Sequence, residues 1–410
     1  MAVSKRLLAL GATAAMIFAA CGPAQSAAPS SGGGATTPPS TAGTTPTEAP
    51  SQAGGGEKVV ACVAFDTGGL GDKGFNDLAK KGLEDAAAAG YETHFSEAQG
   101  ATDYENNIQT LIDQGCGAIV TVGFLQSQAT ANMAAANPEI AFAQVDTAWN
   151  PCGPDFVCGD DASTADKDEG ADDTPQPANF TGLDYQVDQA AMLAGYLAGG
   201  WSKSGTVATY GGLAFPGVTR FMDGLWAGVQ YYNQQKGTDV KVLGWDGSLA
   251  DPAGSGTFVG GSGGNDTWVN PTKGEELAKT FHDQGADIIH PVAGATGNGS
   301  IKAAQEGDYW AIGVDTDQYL SIGPPTNAAI LTSAQKAIDV SVLDFFNQVT
   351  GGYLGGTDYS GTIANNGVLL SPYHDYDAEI PAELKGEIDA LKTALGDGSI
   401  TVCSFLARGC

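Results

Sequence analysis

Residues 58–89 read KVVACVAF, then DTGGLGDKG, then FNDLAKKGLEDAAAA, and this succession decides the fold. The apolar run from Val59 to Phe65 is short and unbroken, which reads as a β-strand. A glycine-rich turn begins at Asp66, and an amphipathic stretch then predicts a helix from Phe75 to Ala89. Strand, tight turn and helix in that order open a βαβ unit, the building block of a parallel sheet.

The same alternation continues outward from this stretch. Strands are expected at Tyr91–Phe95, Ala118–Val122 and Ile140–Val145, with helices at Tyr104–Gln114 and Ser127–Ala136. From Asn150 to Asn179 the pattern gives way to an acidic, Pro- and Gly-containing stretch with Asp160, Asp161, Asp168, Glu169, Asp172 and Asp173. It reads as an exposed insertion. Calcium is the rival reading, but the ordered D-x-D-x-D-G spacing is missing.

A second series follows: helix Gln186–Leu197, strand Thr206–Tyr210, helix Arg220–Gln234, strand Val240–Trp245, helix Lys273–Gln284 and strand Asp287–His290. Strands Trp310–Val314 and Ile330–Leu331, helix Ala334–Asn347 and a last helix Glu383–Ala394 complete it. About 350 residues carry these elements, more than one core usually organises, so two α/β domains are expected.

The N-terminal side has a different character. Lys5 and Arg6 precede an apolar run from Leu7 to Phe18, then Ala19, Ala20 and Cys21. Basic, apolar and small residues in that order form an export signal, too short to remain as a membrane span. Small residues before a cysteine resemble the lipobox of bacterial lipoproteins, with Phe18 where leucine is usual. Residues 1–20 are therefore expected to be cleaved, and Cys21 to be acylated, with palmitate among its acyl chains. A plain secreted protein with an incidental cysteine is the alternative. Residues 21–56, almost wholly Gly, Pro, Ser, Thr, Ala and Gln, offer nothing to pack and read as a tether to the extracytoplasmic face of the cell membrane.

The formal net charge of −29 sets the chain against nucleic acid and anionic lipid surfaces, both of which it would repel. Six cysteines remain beyond Cys21, an even number in an exported chain, so disulfides are expected. Cys152 with Cys158, Cys403 with Cys410 and Cys62 with Cys116 are candidate pairs, with connectivity open. Zinc is disfavoured, because His94, His282, His290 and His374 are scattered and no C-x-x-C occurs.

Two motifs invite enzymatic readings. Gly69, Gly71 and Gly74 form G-x-G-x-x-G between strand and helix, with Glu97 about 20 residues on, as in dinucleotide-binding sites. Yet Asp66 and Asp72 put carboxylates where a pyrophosphate would lie. Gly260-Gly-Ser262-Gly-Gly264 matches the G-x-S-x-G pattern of hydrolases but lacks the strand before and the helix after. No nucleophile, base and orienting group occur at recognisable spacing, so the chain is expected to be a binding protein without cofactor.

A set of short motifs narrows this further. Asp66-Thr-Gly-Gly, Gly74-Phe75-Asn76, Gly123-Phe124, Asn137-Pro138, Gly244-Trp245-Asp246, Val292-Ala-Gly294-Ala-Thr-Gly297, Gly313-Val-Asp315-Thr-Asp317-Gln318 and Thr332-Ser333 with Lys336 occur in this order. Together, from about Val59 to about Phe346, they resemble the basic membrane protein family of nucleoside-binding lipoproteins. The resemblance implies a type I periplasmic-binding-protein fold, two Rossmann-like lobes joined by a hinge of crossing segments. The lobes would be 57–183 plus about 315–346, with the insertion at 150–179, and 184–314 plus about 347–410.

The implied cargo is a purine nucleoside, taken in the cleft of a monomer and delivered to the permease of an ABC importer. The resemblance places Asp315 and Lys336 at the ribose hydroxyls, Asp66 and Asn76 against the ligand, and Gly294 where backbone approaches it. Phe75, and Phe221 in the Phe215–Gly224 stretch, would offer stacking faces; core packing is the alternative for either ring, and a cap or hinge contact for Asp315. Where the family commonly sets a carboxylate against the base, this chain has Gln128, an amide that both donates and accepts. A sugar or other polar metabolite as cargo, or a ligand-sensing role, remains open because this fold serves many ligands.

Overall fold

In the computed structural model the described residues are 58–149, 176–248, 256–261 and 263–409. Cys21, the tether, most of the acidic insertion and Ser262 lie outside them. Two six-stranded sheets organise the chain. In the first, β1 (Ala61–Phe65), β2 (Thr93–Glu97), β3 (Ala118–Val122), β4 (Ala141–Val145), β5 (Phe180–Tyr185) and the late strand β11 (Tyr359–Gly361) run parallel, in the order β11-β5-β4-β3-β1-β2. In the second, β6 (Thr206–Gly211), β7 (Lys241–Leu243), β8 (Ile288–Val292), β9 (Trp310–Asp315), β10 (Ile330–Lys336) and β12 (Val368–Leu370) take the order β12-β10-β9-β8-β6-β7, with only β12 antiparallel.

Helices cover both faces, which is why β1, β3, β4 and β8 are buried along their whole length and read as continuous apolar runs rather than alternating ones. Cys62 on β1 and Cys116 just before β3 form a disulfide within the first lobe. Cys403 is also disulfide-bonded, while Cys152, Cys158 and Cys410 lie outside the described residues.

Three segments cross between the lobes. β5 of the first sheet leads into helix Val187–Trp201, which packs on β10 and β12 of the second. β10 leads back into helix Ile338–Thr350, which packs on helix Phe75–Ala88. β11 leads out again to β12. The crossings are knitted together where Gln186 N donates to Gly361 O at 2.8 Å and Ala337 N to Gly367 O at 2.9 Å.

These pairings correct the expected lobe boundaries. Residues 315–346 do not form one block of the first lobe: the end of β9 and all of β10 belong to the second sheet, and only the helix after them returns. Nor does 347–410 form one block of the second, since β11 completes the first sheet. The helix expected from Ala334 begins instead at Ile338. Alanine, glutamine and lysine favour helix, but Gln335 pairs with Asp315 on β9, and Lys336 pairs with Val368 on β12. Ladder pairing overrides the local preference.

Candidate functional site

In each sheet the strand order reverses beside the first strand of the lobe, β1 against β3 and β6 against β8. Ligands in open α/β sheets gather at such switch points, outside the carboxyl ends of the strands. A cavity of about 530 Å³, counting its open mouth, lies there between the lobes. The first lobe contributes Asp66, Gly68, Asp72, Phe75, Asn76, Phe124 and Asp146; the second contributes Gly217, Val218, Phe221, Trp268, Val292, Gly294, Ala295, Asp315 and Lys336.

Three of the strands end at this cavity in an aspartate. Asp66 follows β1, Asp146 follows β4 and Asp315 closes β9. Asp146 and Asp315 both adopt left-handed backbone, with φ of 67° and 64°, a conformation that aspartate tolerates better than most residues. It turns each carboxylate off the strand axis. Lys336, at the last position of β10, is buried with Nζ 2.7 Å from Asp146 Oδ2 and 3.4 Å from Asp315 Oδ1. The same ammonium lies 5.2 Å from the centre of the Phe75 ring and 4.9 Å from that of Phe221.

A second cluster sits at the start of helix Phe75–Ala88. Asp72 accepts the backbone N–H groups of Gly74, Asn76 and Asp77 at 2.8–3.2 Å, satisfying donors that a helix start leaves open. Asn76 donates through Nδ2 to Asp66 Oδ1 at 2.9 Å and to Asp72 Oδ2 at 3.2 Å, and Gly68 N donates to the same Asp66 oxygen at 2.8 Å. Asn76 Oδ1 is buried and has no partner. Gly123 completes this corner: its φ is 92°, and a Cβ there would lie 2.8 Å from Asp66 Oδ2.

Burial sets the electrostatics. It pushes the Asp66 carboxyl up to about 6 against the lowering effect of the Asn76 and Gly68 hydrogen bonds, with the Asp146 charge adding to the rise. Asp72 rises to about 6, again through burial, opposed by its backbone donors. Asp146 and Asp315 are also raised by burial, with Lys336 pulling the other way. Burial would lower the Lys336 ammonium, but Asp146 and Asp315 together outweigh it and hold it above its ordinary value. Behind Phe221, His290 is fully buried with its ring 5.8 Å away and is pushed down to about 4 by desolvation, hence neutral.

The lobes touch around this cavity, and the loop from Asp66 to Gly74 makes three of the contacts. Thr67 Oγ1 donates to Gly263 O at 2.7 Å, Asn298 Nδ2 donates to Asp72 O at 2.9 Å and Ser321 Oγ donates to Lys73 O at 2.7 Å. Phe124 of the first lobe lies against Phe215 of the second, with ring centres 4.1 Å apart, and meets Trp268 edge-on at 6.4 Å.

Of the residues expected from sequence, Asp66, Phe75, Asn76, Phe221, Gly294, Asp315 and Lys336 all line this one cavity. Gln128 does not. It is exposed, with Nε2 bonded to Asn132 Oδ1 at 2.8 Å, because the 3-10 turn Phe124–Gln126 rotates the next helix so that this position faces solvent. From that turn Phe124 reaches the cavity, and Gln126 is buried beneath it, donating to Ala64 O and Val122 O, both at 2.9 Å. Asp72, Phe124, Asp146 and Trp268 were missed. Asp146 carried a signal, an aspartate directly after an apolar strand as at Asp66 and Asp315; Trp268 carried none.

A profile of the family described as "ABC transporter substrate-binding protein PnrA-like" matches residues 59–254 and 264–387. The chain belongs to this family. Members are substrate-binding components of ABC transporters and not enzymes, so this chain is such a component, with a small molecule and a permease as its partners. It is similar to basic membrane protein A1 of Borrelia garinii subsp. bavariensis, 28% identical over 341 residues that cover 82% of this chain and 86% of the relative. It is likewise similar to the ABC transporter nucleoside-binding protein BmpA of Lactococcus lactis subsp. cremoris, 27% identical over 366 residues, covering 84% and 89%. Among solved structures, an ABC transporter solute-binding protein from Aeropyrum pernix K1 matches with a TM-score of 0.67 at 23% identity, covering 84% of this chain and 92% of that one. Another from Conexibacter woesei gives 0.60 at 21% identity, covering 85% and 99%. The shared architecture is the type I periplasmic-binding-protein fold. Among the described residues no helix is long and apolar enough to cross a membrane.

Proposed function

We propose that this chain captures a purine nucleoside in the interlobe cavity, outside the cytoplasmic membrane, and delivers it to an ABC importer while a lipid on Cys21 holds it at the surface. The observation that carries this reading is the buried ammonium of Lys336 between Asp146 and Asp315, flanked by the rings of Phe75 and Phe221. Vicinal ribose hydroxyls both donate and accept; carboxylates supply the acceptors and the ammonium supplies the donor. Two aromatic faces beside them suit a flat base. The Lactococcus relative is named for binding a nucleoside, which supports the same cargo class. The order of basic, apolar and small residues before Cys21 supports the anchor.

Native mass spectrometry and calorimetry of the purified full chain test the cargo. A co-purified or titrated purine nucleoside, bound one to one by a monomer, is the expected result. A sugar in the cavity, or no response to any nucleoside, overturns the reading. Mass analysis of the membrane-derived protein should find acylated Cys21 as the N-terminus; an unmodified Cys21, or an N-terminus elsewhere, removes the anchor.

A further inference from the structure

A line of hydrogen bonds runs from the core of the second lobe to the first. Gln318 opens the short helix Gln318–Ile322 just beyond β9 and is only 2% exposed. Its Oε1 accepts from Val314 N at 2.9 Å and its Nε2 donates to Asn298 Oδ1 at 3.2 Å. Asn298, on helix Ala295–Gly307, in turn donates through Nδ2 to Asp72 O of the first lobe at 2.9 Å. Neither Gln318 nor Asn298 is among the residues that line the cavity.

A side-chain amide is ambiguous by itself, because its donor and acceptor ends can exchange by rotation. This pair is fixed from both ends by the backbone. The Val314 N–H can only donate, so the Gln318 oxygen must face it. The Asp72 carbonyl can only accept, so the Asn298 nitrogen must face that. The two amides then meet donor to acceptor, and turning either one over would set like ends together at both of its contacts.

Both ends of the line are held in place. Gln318 N donates to Ser333 Oγ at 3.1 Å, and Ser333 N donates to Ser371 Oγ at 2.8 Å. Gly313 makes room for this, since a Cβ there would stand 2.4 Å from Ser333 Oγ and 2.9 Å from Gln318 Oε1. Ser371 directly follows β12, so the line starts beside the stretch that crosses between the lobes. At the far end Asp72 is buried, and its carboxylate is fastened by the backbone N–H groups of Gly74, Asn76 and Asp77.

We propose that Gln318 is a positioning residue for capture: it dictates which end of Asn298 faces the first lobe, so that the second lobe donates to Asp72 O and the two halves stay together around cargo. Without Gln318 nothing selects the donor end, and a turned Asn298 sets its oxygen against the Asp72 carbonyl. An acceptor facing an acceptor is disfavoured beyond the loss of the bond itself. The role is independent of what the cavity takes and so goes beyond the nucleoside reading.

A double-mutant cycle in the full chain tests this, with Gln318→Met, Asn298→Ala and the two combined. Calorimetry with adenosine, guanosine and inosine reads affinity, and deuterium exchange of the loop from Asp66 to Gly74 in the ligand-free protein reads the contact between the lobes. Each single variant should bind the preferred nucleoside roughly tenfold more weakly and exchange this loop faster. The double variant should be no worse than Asn298→Ala alone, because Gln318 acts through Asn298. Additive losses overturn the proposal, as does a Gln318→Met variant with parental affinity and exchange. If none of the three nucleosides binds, the nucleoside reading falls while the exchange cycle still decides this one. Should Gln318→Met fail to fold, Asn298→Asp at a partly buried position takes its place: it keeps the acceptor for Gln318 but turns an oxygen toward Asp72 O, so loop exchange should quicken at neutral pH, and exchange matching the parent's removes the contact that Gln318 is held to set.

Discussion

Lys336 is buried against two carboxylates, so its removal leaves uncompensated negative charge in the fold. Breaking a buried ion cluster from one side typically costs about 3–5 kcal/mol, and Lys336→Met is expected to lower neutral-pH stability by that order in denaturant unfolding. The loss should shrink in acid, where Asp146 and Asp315 can be neutralised. Asp315→Ala removes an acceptor proposed for the ribose. One or two hydrogen bonds to a charged group are worth about 1.5–3 kcal/mol each, which predicts nucleoside binding weaker by roughly tenfold to a few hundredfold. A 2′,3′-dideoxynucleoside should be affected far less, and equal weakening of both ligands in calorimetry would rule out a ribose contact.

Asp66 adds a pH dependence whose two signs differ. Its carboxyl sits at about 6 in the fold against an ordinary 3.8, so the folded state takes up a proton before the unfolded state does. Ligand-free stability therefore rises through this group as pH falls from about 6 toward 4. Affinity for a cargo that meets Asp66 as an ionised acceptor moves the opposite way, because protonation turns one carboxylate oxygen into a donor. Calorimetric affinity should fall as pH passes below about 6, while the stability advantage of Asp66→Asn over the parent, present at pH 7, should vanish by about pH 4. Affinity that is level from pH 7.5 to 5 would show that Asp66 does not meet the cargo as an ionised acceptor.

At the level of elements, the strands that end in aspartate were legible because a buried parallel strand writes itself as a continuous apolar run and its carboxyl end is where a ligand sits. β1 and β9 delivered Asp66 and Asp315 in this way, and β4 held Asp146 by the same rule. What was not legible depended on contacts distant in sequence. Lys336 stands at the end of a strand rather than inside a helix only because β9 and β12 pair with that stretch. Gln128 points to solvent because one 3-10 turn precedes its helix, a phase change that composition does not reveal. The tight turn after β3 gives this scale its own test. Gly123→Ala must accept φ of 92° and a Cβ against Asp66 Oδ2, which should cost about 1–3 kcal/mol of stability and weaken cargo binding through displaced Asp66. A variant as stable and as competent as the parent, by thermal unfolding and calorimetry, would contradict that geometry.

For the molecule as a whole, the cavity holds one cation among four carboxylates, within a chain of net charge −29. A phosphorylated cargo would meet like charge after losing its water, a cost of several kcal/mol without compensating cations. Nucleoside monophosphates should therefore bind far more weakly than nucleosides, and nucleoside affinity should change little with salt; a monophosphate that binds more tightly would reverse the charge argument.

The order in which the sheets are completed has a further consequence for how the protein comes into being. Neither lobe is a continuous piece of chain, and each receives an edge strand from the short stretch that holds Tyr359–Gly361 and Val368–Leu370. A chain emerging from its N-terminus cannot finish either half until that stretch has been made. Contacts so remote in sequence slow folding, and under the export proposed above such slowness would be protective, keeping the chain pliable during passage and letting both halves set together on the far side.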